Sequence, residues 1–212
     1  MIDQAVVLFG TPDRVFGDVR AQRAGGVLDD AWEVHLYYND ANSSTVPDAH
    51  GLHTGGFRAI LKGSLLAKDH GLRYMVHGDH GSWMKVGVDT QEEALMQGIL
   101  PSYPPDVPSG ELLTEYPVGS ESSSHEVTYG SEPRNQWGVL TTSSPEHPTS
   151  STIVLTPPVT GSYHLLYEEL HTRIVHGAKP AVDPTVSVTV LRIIELARQS
   201  SREGRVLNYT PA

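Results

Sequence analysis

The run Asp30-Ala31-Trp32-Glu33-Val34-His35-Leu36-Tyr37-Tyr38 decides the fold. Trp32, Val34, Leu36 and Tyr38 alternate with Glu33, His35 and Tyr37, and a period of two sends the two sets to opposite faces of a β-strand. Arg14 to Arg23 precedes it across the turn Ala24-Gly25-Gly26, which predicts a hairpin with one buried face. Phe57 to Leu66 and Leu72 to His77 alternate in the same way, and Asp79-His80-Gly81 turns the chain into Ser82 to Val88. Five strands in series predict an antiparallel sheet.

Helical signals flank these strands. Ile2 to Phe9 carries apolar residues at helical spacing, with Gly10 after its end and Pro12 beyond, so it reads as the closing turns of a helix that looks cut at Met1. Asp89 to Met96 opens with Asp and Thr as capping residues and acids in its first turn, which predicts a short helix. Ser162 to Val175 is amphipathic and stops at Gly177 and Pro180. A second amphipathic helix begins at Asp183-Pro184 and presents Val186, Val190, Ile193, Ile194 and Ala197 until Gly204. Two helices can cover one face of the sheet, and Arg205 to Tyr209 can add an edge strand. The expected class is α+β: an open, mostly antiparallel sheet with helices on one face, one domain over residues 1–212. Between them, Pro101 to Ser151 holds eight of the fifteen prolines and eleven serines. With Trp137 to Thr142 as its one convincing strand, this segment reads as a long, partly mobile loop, either a lid or an insertion.

Composition narrows the function classes. Hydrophobic residues at 38% and charged residues at 19% are those of a folded chain. A formal charge of -10 opposes phosphate backbones, so no nucleic acid is expected. With no cysteine there is no disulfide or thiolate metal site. Without a basic leader or a long apolar run, the expectation is a cytoplasmic protein that does not enter a membrane.

Five strings, taken in order, carry a resemblance. They are Ile2-Asp3-Gln4 to Phe9-Gly10, Tyr74-Met75-Val76-His77-Gly78-Asp79-His80-Gly81-Ser82-Trp83, Asp89-Thr90-Gln91-Glu92, Trp137-Gly138-Val139-Leu140-Thr141-Thr142, and Ile193-Ile194-Glu195-Leu196-Ala197-Arg198 to Gly204-Arg205-Val206. Together they resemble the C-terminal domain of the family of glucose-fructose oxidoreductase, inositol dehydrogenase and MocA, with a likeness to fungal members. The resemblance implies a substrate-binding sheet that normally follows a Rossmann domain bearing a glycine-rich dinucleotide turn and a catalytic lysine. That domain, and the family's paired acid and histidine just before the position of Met1, are expected to be missing here. No bound cofactor is expected, since Gly25-Gly26 and Gly55-Gly56 sit in hairpin turns.

The strand residues facing away from the apolar set form a polar stripe: Glu33, His35 and Tyr37, then Arg58 and Lys62, then Arg73 and His77. It reads either as a solvated face or dimer interface, or as a pocket floor where a cation stabilises an oxyanion and His or Glu moves a proton. On the second reading the catalytic candidates are His70, Lys62, His35 and His77, and the substrate-binding candidates are Glu33, Tyr37, Arg58, Asp69, Arg73 and Trp137. Asp69-His70 enters because the resemblance places substrate contacts at that strand end. The clusters His77-Gly78-Asp79-His80 and Asp48-Ala49-His50-Gly51-Leu52-His53 lack the helical spacing of a zinc site, so no metal is expected. No nucleophile elbow is present either.

These features predict a cofactor-independent isomerase or cyclase, including a pericyclic or Diels-Alder-type closure in secondary metabolism. It would act on an apolar, polyketide- or terpenoid-like small molecule and pair as a homodimer through the open face. The alternatives are a non-catalytic partner of a full-length NAD(P)-dependent dehydrogenase and a truncated chain retaining only the fold.

Overall fold

The computed structural model describes residues 1–39, 56–69, 71–87, 89–99, 129–144, 147–158, 163–180 and 182–211. In chain order the elements are α1 (Ile2–Phe9), β1 (Arg14–Arg20), β2 (Ala31–Tyr38), β3 (Phe57–Ser64), β4 (Leu72–Gly78), β5 (Gly81–Val86), α2 (Thr90–Met96), a 3-10 turn (Arg134–Gln136), β6 (Gly138–Ser144), β7 (His147–Thr156), α3 (Tyr163–His176), α4 (Pro184–Glu203) and β8 (Leu207–Asn208). They fall into two compact units, Met1–Lys68 with Lys179–Ala212 and Asp69–Ala178. Each unit carries one four-stranded antiparallel sheet.

In the first unit the strand order is β3-β2-β1-β8. The alternation of β2 holds: Val34, Leu36 and Tyr38 are buried, and Val15 stands opposite Leu36 and Gly17 opposite Val34 on β1. α1 and α4 lie on this apolar side, and Ala5, Val15, Val34, Leu36, Tyr38, Ile193 and Ala197 form its core. Burying a side chain such as Ile193, fully enclosed, contributes about 1.5–3 kcal/mol. α4 starts as its sequence predicts, with Asp183 Oδ1 accepting from Thr185 N at 2.9 Å and Pro184 in the first turn, and Gly204 closes it at φ 64°.

Polar clasps complete the layer. Ser200 Oγ accepts from Gly17 N at 3.0 Å and donates to Arg205 O at 2.6 Å, and Ser201 Oγ accepts from Val19 N at 3.0 Å. Asp30 is fully buried at the β1–β2 turn and accepts from Gln22 N, Arg23 N and Arg23 Nε. Those donors, Gln22 N–H first and the Arg23 guanidinium next, hold its carboxyl below the usual carboxylate range. Such a pairing is what a buried carboxylate requires.

In the second unit the order is β4-β5-β6-β7. Trp83 on β5 lies over Gly138 on β6 and donates from Nε1 to Thr156 Oγ1 at 2.9 Å. A Cβ on Gly138 would come within 2.4 Å of that nitrogen, so only glycine admits the ring. Lys85 is enclosed against Glu132 and donates to Gln136 O at 3.0 Å. α3 is tied at its start to α2, with Tyr163 N donating to Gln91 Oε1 at 2.8 Å and Tyr163 Oη to Asp89 Oδ2 at 2.9 Å.

The class is the one read from the sequence, with three differences of detail. The five strands expected in series are divided between two sheets, because β3 closes in a turn: Leu65 N donates back to Asp30 O at 2.8 Å and Leu66 N to Ser64 Oγ at 3.1 Å. The two helices expected over one face are separated, since α4 belongs to the first unit and α3 to the second. The end of the expected loop 101–151 is instead a hairpin, β6 paired along its length with β7. The β-branched run Thr152-Ile153-Val154 supplies the strand preference that the surrounding serines and prolines conceal. Residues 101–128 and 145–146 of that segment lie outside the described residues.

Candidate functional site

The face of the first sheet opposite α4 gathers most of the polar stripe. Cross-strand register aligns three rows: Arg14, Tyr37 and Arg58; Phe16, His35 and Ile60; Asp18, Glu33 and Lys62. Cross-strand neighbours on one face sit about 4.5–5.5 Å apart at Cβ, so each row is a contact set.

Glu33 joins the last two rows. Its Oε1 lies 2.6 Å from His35 Nε2 and its Oε2 2.8 Å from Lys62 Nζ. The Lys62 ammonium, and after it the His35 ring, hold the Glu33 carboxyl down to about 2. An ionised carboxylate only accepts, so His35 Nε2 carries a proton and donates it to Glu33, and in the neutral ring Nδ1 then holds the lone pair. Phe16 packs edge-on against the imidazole with centroids 5.4 Å apart, which fixes the ring plane from the neighbouring strand. His35 is 15% exposed, while Lys62 at 65% reaches into solvent. The arrangement is a carboxylate-oriented histidine beside an exposed cation, able to take a proton from a hydroxyl and to stabilise the resulting negative charge.

At the other end of the face, Tyr37 is flanked from both sides. The Arg14 guanidinium carbon stands 5.2 Å and that of Arg58 5.8 Å from its ring centroid. Arg14 Nε is buried with no hydrogen-bond partner.

The remaining sequence candidates lie in the second unit, which Asp69 opens, except that His70 lies outside the described residues. Asp69 Oδ1 accepts from Gly71 N at 3.1 Å, as an exposed turn residue does. Arg73 occupies the irregular position of β4 and lies over Tyr74 at 5.5 Å. His77 Nδ1 is 2.8 Å from Ser82 Oγ on an exposed surface. Trp137 donates from Nε1 to Glu132 O at 3.1 Å and carries Arg134 over its ring. The stripe expected to run continuously through Arg73 and His77 is therefore broken, because β4 belongs to another sheet. Among the described residues no three His, Asp or Glu side chains converge as a metal site, and no helix is long and apolar enough to cross a membrane. Sequence reasoning missed Arg14, Phe16 and Asp18, although the alternation Arg14-Val15-Phe16-Gly17-Asp18 marks them as facing the stripe.

Residues 1–209 match the family described as an oxidoreductase family, C-terminal alpha/beta domain, which is the Gfo/Idh/MocA group. The chain belongs to that family. It is 30% identical over 207 residues to scyllo-inositol 2-dehydrogenase (NADP(+)) IolW of Bacillus subtilis, covering 98% of this chain and 46% of that protein. It is also 30% identical over 195 residues to the uncharacterized oxidoreductase YhhX of Escherichia coli, covering 92% of this chain and 44% of that one. The solved structure of yvaA from Bacillus subtilis superposes with a TM-score of 0.73 at 29% identity, over 99% of this chain and 49% of that chain. This Gfo/Idh/MocA domain thus spans about half the length of the curated relatives it matches.

The family implies a nicotinamide dinucleotide, and the described residues of this domain do not fit one. Among them a single glycine, Gly87, lies where a strand leads into an α-helix, between β5 and α2. The amide that would meet a pyrophosphate there is already taken, because Gln91 N donates to Asp89 Oδ1 at 2.9 Å. A carboxylate at that place repels phosphate.

Proposed function

We propose that this domain provides the substrate side of an oxidoreductase acting on a hydroxylated small molecule, with the open face of the first sheet as the floor of the site. The observation that carries the reading is Glu33, which bridges His35 and Lys62 at 2.6 and 2.8 Å on one face. A ring or chain bearing hydroxyls would lie across Phe16 and Ile60. His35 Nδ1 would take the proton of one hydroxyl, Glu33 would hold the imidazolium so formed, and Lys62 would face the developing alkoxide. The 30% identity to a scyllo-inositol 2-dehydrogenase supports a polyol as the kind of substrate. Dehydrogenation also needs a hydride acceptor, for which the described residues offer no seat.

The same couple favours a second reading. A histidine oriented by a carboxylate moves protons without a redox carrier, so the chain would act alone as an isomerase or cyclase on a small molecule. Titration of the chain with scyllo-inositol and NADP+, followed by amide NMR, separates the two. Polyol shifts clustered on β1 to β3 and lost in His35→Ala support the substrate-side reading. Turnover of a hydroxyketone probe with no nicotinamide present supports the second. Polyol shifts confined to the second unit would end both. With either reading goes a homodimer through the open face of the same sheet, in which Ile60 at 43% exposure would be covered; sedimentation of the wild type and Ile60→Lys reads it.

A further inference from the structure

We infer that the outer edge of β7 pairs with β7 of a second copy of this chain, so that the second-unit sheets of two copies join edge to edge.

Four strands end the two sheets: β3 and β8 in the first, β4 and β7 in the second. A sheet edge presents a row of unpaired N–H and C=O groups and invites another strand unless something blocks it. Three of the four carry a block. β3 bears Arg58 and Lys62, β8 is two residues long, and β4 has a register shift between Leu72 and Tyr74 with Arg73 inside it. β7 runs for ten residues without an acid, a lysine or an arginine. Its Pro148 and its one register shift lie between Ser151 and the turn, and Ser151 to Thr156 pair regularly with β6. Among the described residues no strand pairs with the other side of β7.

Charge and side chains choose the occupant. A formal charge of -10 sets two copies against each other over most of their surface, and along β7 they can approach without bringing like charges together. Ile153, Val154 and Leu155 stand 67%, 46% and 40% exposed along this edge. A strand paired antiparallel with its own copy has a two-fold axis through the pair, and direct partners share a face. With the axis at Val154, Ile153 meets the partner's Leu155 and Thr152 meets the partner's Thr156. Aliphatic then faces aliphatic and threonine faces threonine, the combinations that stabilise antiparallel pairs. With the axis at Ile153, Ser151 would meet an aliphatic residue and so would Thr152. The Val154 register also prolongs two rows of the sheet, Trp83-Leu140-Val154 and Met84-Val139-Leu155, into the second copy.

Six paired residues span about 20 Å, which is small beside a standard interface. The association is therefore reversible and depends on protein concentration.

The chain has no cysteine, so a single introduced thiol reads the register. Direct partners in an antiparallel pair stand about 4.5 or 5.5 Å apart at Cα, within disulfide reach. Val154→Cys should give a disulfide-linked pair of chains under mild oxidation. Ser151→Cys, whose two copies would stand roughly 20 Å apart, should not. Val154→Lys would oppose two ammonium groups across the axis and should weaken self-association in sedimentation about tenfold or more. That loss should appear in the Ile60→Lys background too, because the two sheets are separate. Circular dichroism of each variant is the folding control. Linking of Val154→Cys no faster than that of Ser151→Cys overturns the inference. So does self-association that ignores Val154→Lys, or an Ile60→Lys chain that sediments as a single copy at every concentration.

Discussion

Gly17 and Ala197 meet backbone to backbone: a Cβ built on Gly17 would lie 2.2 Å from the carbonyl oxygen of Ala197. β1 and α4 are therefore closer than any side chain permits at that point. Gly17→Ala should force strand and helix apart at a cost of about 1–3 kcal/mol. Urea denaturation of the variant reads the loss, and an unchanged midpoint would refute so close an approach.

Ser200 holds the same crossing with hydrogen bonds. It is fully buried, and its hydroxyl meets Gly17 N and Arg205 O. Ser200→Ala strands a buried N–H and a carbonyl, for an expected loss of about 1–3 kcal/mol. Ser201→Ala, at a half-buried position, should cost less, and the ranking of the two melting temperatures is the check.

For activity, His35→Ala should lower turnover about 10²–10⁴-fold if the imidazole is the base. Glu33→Gln should lower it less while altering the pH profile, since an amide still contacts the ring and no longer stabilises the imidazolium. Lys62→Ala should act without unfolding the chain, because Lys62 is mostly exposed. Wild-type turnover in both His35→Ala and Lys62→Ala would remove this face from the chemistry.

Acid gives a separate readout. The Glu33 carboxyl lies at about 2 in the fold against an ordinary value of 4.5. A carboxyl lowered on folding stabilises the fold fully above its unfolded value and loses that contribution as pH falls through its folded one. The stability gap between wild type and Glu33→Gln should thus be constant near neutrality and close between pH 4.5 and about 2. A gap that persists at pH 2 would mean that Glu33 is not held by charge.

Much of this was legible in the residues. The alternation of β2, the Asp183-Pro184 start of α4 and the Asp79-His80 turn are local signals, and each element formed where its signal lies. The pairing of Glu33 with His35 and Lys62 follows from the same alternation once β3 is placed beside β2. What sequence could not supply was long-range. Strand periodicity says which way a side chain points and nothing about which sheet the strand joins, so alternation alone groups Arg73 and His77 with Glu33. Burial of polar groups was equally hidden, for Asp30 and Ser200 look like surface residues until the turn and helix close over them. β7 was obscured by its own composition, because serine and proline argue for loop wherever no partner strand is known.

The Asp30 clasp has a consequence for how this chain can change. One enclosed carboxylate gathers donors from Gln22 and Arg23, so the separation of those residues from Asp30 is set by the reach of a single side chain. Val27 and Leu28, at 93% and 75% exposure, stand outside that grip and are free to vary in identity. Insertions and deletions between Arg23 and Asp30 are not free, and descendants of this sequence should hold that interval at constant length while its letters drift.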